Sequence, residues 1–234
     1  MRPPLDTTHL LSRSIGVLGN DLGPILAWSL LLQAPRVLIS VLSDTGRLSF
    51  GDQAGSVLAL LVALLPMVIL TQLQTAVLAP RVLHTLREDG FGPPTEASTA
   101  GSSVIAILIT AVAVAVLAVA GFALFLIPGW LVLTGLFVAV PALMCEGLSP
   151  QQALIRSWRL TGPRGISIFT LVFLFTLVEA LLRMALTALG APATLTALAA
   201  VPISAVQAIA ATVTYAGLVA RHDDGETQDE PQAP

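Results

Sequence analysis

Arg36, Glu179 and Arg183 are ionisable side chains set in stretches otherwise built of Leu, Ile, Val, Ala and Phe. An ion at the centre of a bilayer costs roughly 2.5–3.5 kcal/mol on insertion scales, so each such residue needs a partner or a purpose. Glu179 precedes Arg183 by one helical turn, the favourable order for an ion pair on a helix. Arg36 and Glu179 each fall about fourteen residues into an apolar run, which at the helical rise puts both at about 21 Å of depth. The expectation is a buried Arg36–Glu179–Arg183 cluster in the outer half of a bilayer. The plainer alternative pairs Glu179 with Arg183 alone and lets Arg36 reach outward. Gln33, Gln72, Gln74 and Gln207 add amides in or near the same runs. Interhelical bonds of that kind average about 0.6 kcal/mol, so packing is their first role. Converging on the charged cluster, they would instead line a polar path for a substrate.

A second group lies at one end of the apolar runs. In Leu148-Ser149-Pro150-Gln151-Gln152, Ser149 suits a helix N-cap, Pro150 the first helical position and Gln152 the third position of a capping box. The helix so begun stops at Thr161-Gly162-Pro163. Leu154, Ile155 and Trp158 then dip toward a headgroup layer, while Arg156 and Arg159 face lipid phosphates or Glu146. The plainer reading is a connector tucked against the bundle. Thr7 to Leu18, with Leu10, Leu11, Ile15 and Leu18 at helical spacing, reads as a short interfacial amphipathic helix.

No nucleophile–base pair, metal-ligand spacing, phosphate loop or dinucleotide fingerprint is visible, so no catalytic residue, metal or cofactor is assigned. His9, His84 and His222 sit in three separate polar segments. Ser149 is accounted for by capping. Cys145 is the single cysteine, which excludes an intramolecular disulfide, and it reads as a small apolar side chain.

The elements that must hold these residues are transmembrane helices. From Ser102 to Val140 the chain runs 39 residues without a charge. A bilayer core needs roughly 20 apolar helical residues, so this stretch crosses twice, as a hairpin punctuated by Ile127-Pro128-Gly129-Trp130. Hydrophobic residues are 55% of the 234 and charged ones 11%, and the mean hydropathy is +0.87; a soluble domain carries roughly a quarter charged residues. The fold class read from this is all-α: a polytopic membrane protein with six transmembrane helices and cytoplasmic amphipathic helices. The spans fall at about 22–43, 55–80, 102–127, 129–146, 164–189 and 194–220. Residues 1–21 form a cytoplasmic segment, and 221–234 an acidic tail expected to be disordered. The N-terminus does not read as a cleavable signal, because its apolar run begins only after Asp21.

All eleven basic residues are Arg, which suggests GC-rich, bacterial coding. Alternating the spans places Arg2, Arg13, Arg81, Arg87, Arg156, Arg159, Arg164 and Arg221 on one side, against Arg47 and Arg183 on the other. Cytoplasmic loops retain positive charge, so both termini are expected inside a bacterial inner membrane. The net charge of −3 comes from segregated acids and bases and gives no argument for nucleic acid. Thr196, Ala200, Ser204, Ala208, Thr212, Ala216 and Ala220 form a stripe of small residues along the sixth span. Such stripes let helices approach closely, within one chain or between two copies. Pro66, Pro141 and Pro202 are expected to kink their spans. Glu88-Asp89-Gly90, Glu146-Gly147 and Asp223-Asp224-Gly225 close alternate spans in a weak internal repeat.

Pro128-Gly129-Trp130, Ala139-Val140-Pro141-Ala142, Glu146-Gly147-Leu148-Ser149-Pro150 and Ala153-Leu154-Ile155-Arg156-Ser157-Trp158-Arg159-Leu160-Thr161 together carry a resemblance. The stretch Ile127 to Thr161 resembles the membrane domain attached to some glycerophosphoryl diester phosphodiesterases, and related stand-alone membrane proteins of unknown function. The resemblance implies a membrane domain of about six spans and no phosphodiesterase activity, since in the fused proteins a separate soluble barrel does that chemistry. No polar stretch here is long enough to hold such a barrel.

The function expected is therefore non-enzymatic: membrane or lipid homeostasis, or scaffolding of a partner through the amphipathic helix. The alternative is a transporter or lipid permease using Arg36, Glu179 and the glutamines. A membrane-embedded hydrolase comes third. The partners expected are membrane lipids, with a protein partner or a second copy meeting the small-residue stripe.

Overall fold

The computed structural model describes residues 22–45, 57–88 and 103–226, together with Ser12, Ser14 and Gly16. The rest of the expected Thr7–Leu18 helix lies outside the described residues. Every element among those described is helical: α1 (Leu22–Asp44), α2 (Val57–Glu88), α3 (Val104–Leu124), α4 (Leu126–Gly135), α5 (Ala139–Glu146), α6 (Pro150–Thr161), α7 (Gly165–Ala188) and α8 (Ala193–Glu226). A 3-10 turn, Gly162–Arg164, joins α6 to α7. Six segments are long and apolar enough to cross a bilayer: Leu22–Asp44, Leu64–Arg87, Val104–Leu124, Leu126–Glu146, Gly165–Ala188 and Ala193–Ala220. They leave large apolar side chains facing outward, among them Leu31 and Leu38 on α1, Ile105 and Ile109 on α3, and Leu181 and Met184 on α7. Surfaces of this kind suit lipid and would be an aggregation liability in water.

α8 is the centre of the bundle, packed along α1, α2 and α7 and touching α5 and α6. Ala205, Ala208, Ile209, Val213 and Ala216 are fully buried there with Ile25 of α1 and Leu78 and Val82 of α2. The small-residue stripe is part of that packing: Ala200, Ser204, Ala208, Thr212, Ala216 and Ala220 are all buried within the chain. Of the two packing roles expected of that face, the one within the chain is seen here. α5 is the most enclosed element, in a run from Thr134 to Cys145 where every residue is buried.

Five local expectations need correction. The hairpin between the third and fourth spans turns at Phe125, whose backbone is extended (φ −164°, ψ 161°), and not at Pro128-Gly129. Pro128 sits in the first turn of α4, where a missing N–H breaks no helical bond. Gly129 is there for closeness: a Cβ on it would strike the Phe122 ring, and one on Gly121 would lie 2.9 Å from the Gly129 Cα. The fourth span is also broken, since Leu136 and Val138 leave helical geometry between α4 and α5. Pro141 is the third residue of α5, in the opening turn, and kinks nothing.

The second span does not stop at Pro80. α2 continues to Glu88, because Val82, Leu83 and Leu86 bury a face against the core that outweighs the bond lost at the proline. Likewise α8 runs on to Glu226, six residues into the tail expected to be disordered. Trp130 of α4 is set edge-on to Phe122 and Phe169 (6.2 and 5.9 Å) and tilted against Phe173 (5.5 Å), which fastens the hairpin to α7.

Candidate functional site

Ser29, Gln33, Arg36, Ser40 and Asp44 of α1 recur as a single stripe at helical spacing. Ser29 and Gln33 meet α2, Arg36 meets α7, and Asp44 meets α8. Gln33 Nε2 donates to Gln74 Oε1 of α2 (3.2 Å), and Gln74 Nε2 donates to Ser29 Oγ (2.8 Å). Arg36 Nη2 donates to Glu179 Oε1 of α7 at 2.7 Å. Arg183 Nη2 donates to the same oxygen, also at 2.7 Å. Asp44, the last residue of α1, caps α8: its carboxylate accepts the backbone N–H groups of Ala193 (2.9 Å) and Thr194 (2.8 Å) and the Thr194 hydroxyl (2.7 Å).

The charged triad is thus assembled from two helices far apart in sequence. Glu179 is buried, the Arg36 side chain is 17% exposed and that of Arg183 48%. Two guanidinium groups and one carboxylate leave the triad with a net charge of +1. The amides do not converge on it: Gln33 and Gln74 bond to each other, and neither Gln72 nor Gln207 is joined to the triad among the described residues. Gln33 Oε1 and Gln72 Oε1 are buried with no hydrogen-bond partner among the described residues.

The second group surrounds α6. Ser149 and Gln152 form the capping box: Ser149 Oγ accepts from the Gln152 N–H, and Gln152 Oε1 accepts from the Ser149 N–H. Gly147 turns the chain from α5 into α6 in the left-handed region (φ 63°), where a side chain would be strained. Glu146 then acts as a latch: its carboxylate accepts from Arg156 Nε (3.0 and 3.1 Å) and from the Tyr215 hydroxyl of α8 (3.0 Å). At the other end Ser157 Oγ donates to the Gly135 carbonyl (2.8 Å), and Thr161 Oγ1 lies between that carbonyl (3.2 Å) and the Ser157 carbonyl of its own helix (2.9 Å). That carbonyl is free because α4 ends at Gly135. A Cβ on Gly135 would collide with the Trp158 ring, so the glycine provides the seat on which Trp158 rests.

α6 therefore presents two faces. Ala153, Ser157, Leu160 and Thr161 are buried in the bundle. Ile155 (55%), Trp158 (51%) and Arg159 are exposed. Of the residues expected to contact headgroups, Trp158 and Arg159 lie on that open side, whereas Glu146 and Arg156 are engaged with each other. Leu154 packs inward beside Val114, Leu136 and Ala139. Ser29, Gly135 and Tyr215 escaped the sequence reading. Tyr215 is the chain's one tyrosine, set among small residues, which was the available signal; the Gly135 carbonyl left none. Among the described residues no three His, Cys, Asp or Glu side chains gather to hold a metal ion, and Cys145 is a buried free thiol.

Fold and site together define a multi-pass, all-helical integral membrane protein with a charged triad between two of its spans. Comparison with family models, with curated proteins and with solved structures gave no match to this chain.

Proposed function

We propose that this is a non-enzymatic organising protein of a bacterial inner membrane, serving lipid homeostasis or the anchoring of a partner, and that α6 is its working surface. The observation that carries this reading is how firmly an exposed amphipathic helix is held. The capping box, the Glu146 latch and the Gly135 carbonyl fix both ends of α6, while Ile155 and Arg159 are exposed and Trp158, seated on Gly135, leaves about half of its surface open. A mere connector needs no such fastening. An indole and an aliphatic side chain beside an arginine suit the boundary between acyl chains and phosphates. The resemblance over Ile127 to Thr161 to the membrane domain of glycerophosphoryl diester phosphodiesterases supports the same reading, as does the excess of Arg on the side assigned to the cytoplasm.

The test has two parts. With Trp28 and Trp130 changed to Phe, the fluorescence of Trp158 is quenched by lipids brominated near the headgroup and much less by lipids brominated near the chain ends; the reverse order would remove α6 from the interface. In the host cell, deletion of the gene alters membrane lipid composition or partner recruitment. The wild-type chain restores it, and a Trp158→Ala/Arg159→Gln chain at equal membrane levels does not. Equal restoration by both would end the proposal.

A further inference from the structure

We propose that the Arg36–Glu179–Arg183 triad is an anion site for the phosphodiester of an acidic phospholipid, with Arg183 as the group that reaches the ligand. The two arginines converge on one oxygen, Glu179 Oε1, each through a single terminal nitrogen. Each guanidinium carries five N–H donors, and neither bonds any other described residue through its side chain, so most of each fork is uncommitted. The triad also carries one positive charge in excess of its carboxylate. In a medium of low dielectric that charge draws an anion far more strongly than it would in water.

The burial gradient says from which side the anion arrives. Glu179 is buried and Arg36 nearly so, while the Arg183 side chain is half exposed beside Leu181 (49%) and Met184 (65%). Those two are lipid-facing apolar side chains, so a ligand approaching Arg183 must itself be at home among acyl chains. Arg183 lies five residues before the end of α7 at Ala188, about 7.5 Å below the helix terminus, a distance that a long arginine side chain covers by snorkelling. The paired oxygens of a phosphodiester match the planar fork of a guanidinium, a fit that a lysine offers only as a point charge. This site lies on α1 and α7, apart from the α6 surface, and stands or falls independently of it.

The experiment is thermal unfolding of the purified full-length chain in an uncharged detergent, with added phosphatidylglycerol, phosphatidylcholine or inorganic phosphate. Phosphatidylglycerol raises the midpoint and phosphatidylcholine does not. Arg183→Gln leaves the Arg36–Glu179 pair in place and weakens the response to phosphatidylglycerol about tenfold in concentration, as loss of a charged hydrogen bond requires. Arg183→Lys keeps only part of it, since the charge remains and the planar fork is lost. Glu179→Gln raises the triad's charge to +2 and gives a larger shift with phosphatidylglycerol, whatever its stability without lipid. Equal responses to the two lipids, an unchanged response in Arg183→Gln, or a smaller shift in Glu179→Gln would overturn the proposal. So would inorganic phosphate reproducing the effect, which would assign the site to a free anion and not to a lipid.

Discussion

Glu179 is the residue on which two others depend, and they depend on it unequally. Arg36 is largely buried and has Glu179 as its partner; Arg183 can turn toward the surface. Removing the carboxylate strands a buried cation, a change worth about 3–5 kcal/mol where such pairs have been broken. Removing Arg183 takes away one half-exposed pairing, worth about 0–1 kcal/mol. Glu179→Ala is therefore expected to lower stability by several times the loss in Arg183→Gln, measured by reversible unfolding in mixed detergent micelles. Equal losses would mean that Arg36 has another anchor. The triad was legible because two helices of known direction set depth by counting residues, and Arg36 and Glu179 came out level although 143 positions apart. Counting says nothing about rotation around the helix axis, so it left open whether the glutamines serve packing or join the triad; neither Gln72 nor Gln207 bonds to it among the described residues.

α6 shows what capping signals can and cannot specify. Ser149, Pro150 and Gln152 marked its start, and Thr161-Gly162-Pro163 its end, with the observed helix running Pro150–Thr161. Local chemistry suffices there because every group involved lies within a turn of the helix end. Its seat is another matter. Trp158 fits only because Gly135 has no side chain, and Ser157 finds a free acceptor because α4 ends at that residue. Gly135→Ala is expected to cost about 1–3 kcal/mol through overpacking. Adding Trp158→Ala should recover part of it, so that a double-mutant cycle gives a coupling well away from zero; strict additivity would show that the two do not touch. Prolines tell a similar story. Pro128 and Pro141 lie in opening turns and Pro80 in mid-helix, positions decided by what each flanking segment packs against and not by the proline itself.

At the scale of the molecule, α8 gathers α1, α2 and α7 around it, and Asp44 ties its start to the end of α1. The small-residue stripe allows that gathering, since alanine-sized side chains let backbones close to packing distance. The orientation proposed from the arginine bias has a direct check. In a Cys145→Ala background, single cysteines at positions 90 and 155 are expected to react with an impermeant reagent from the same side of the membrane. Labelling from opposite sides would invert half of the spans.

Apolar length and charge depletion determined by themselves that this chain is a helical, multi-pass membrane protein, because lipid leaves an unpaired backbone no alternative to the helix or the closed barrel. The same patterns located the six spans and the helix caps, which are local properties. Only the tertiary structure decided which helix faces meet: that Tyr215 closes on Glu146, that the stripe of α8 is spent inside the chain, and that the fourth span breaks to form a seat for α6. In a sequence where nearly every face is apolar, periodicity no longer separates inside from outside. Contact is then settled by shape and by a few polar groups finding one another.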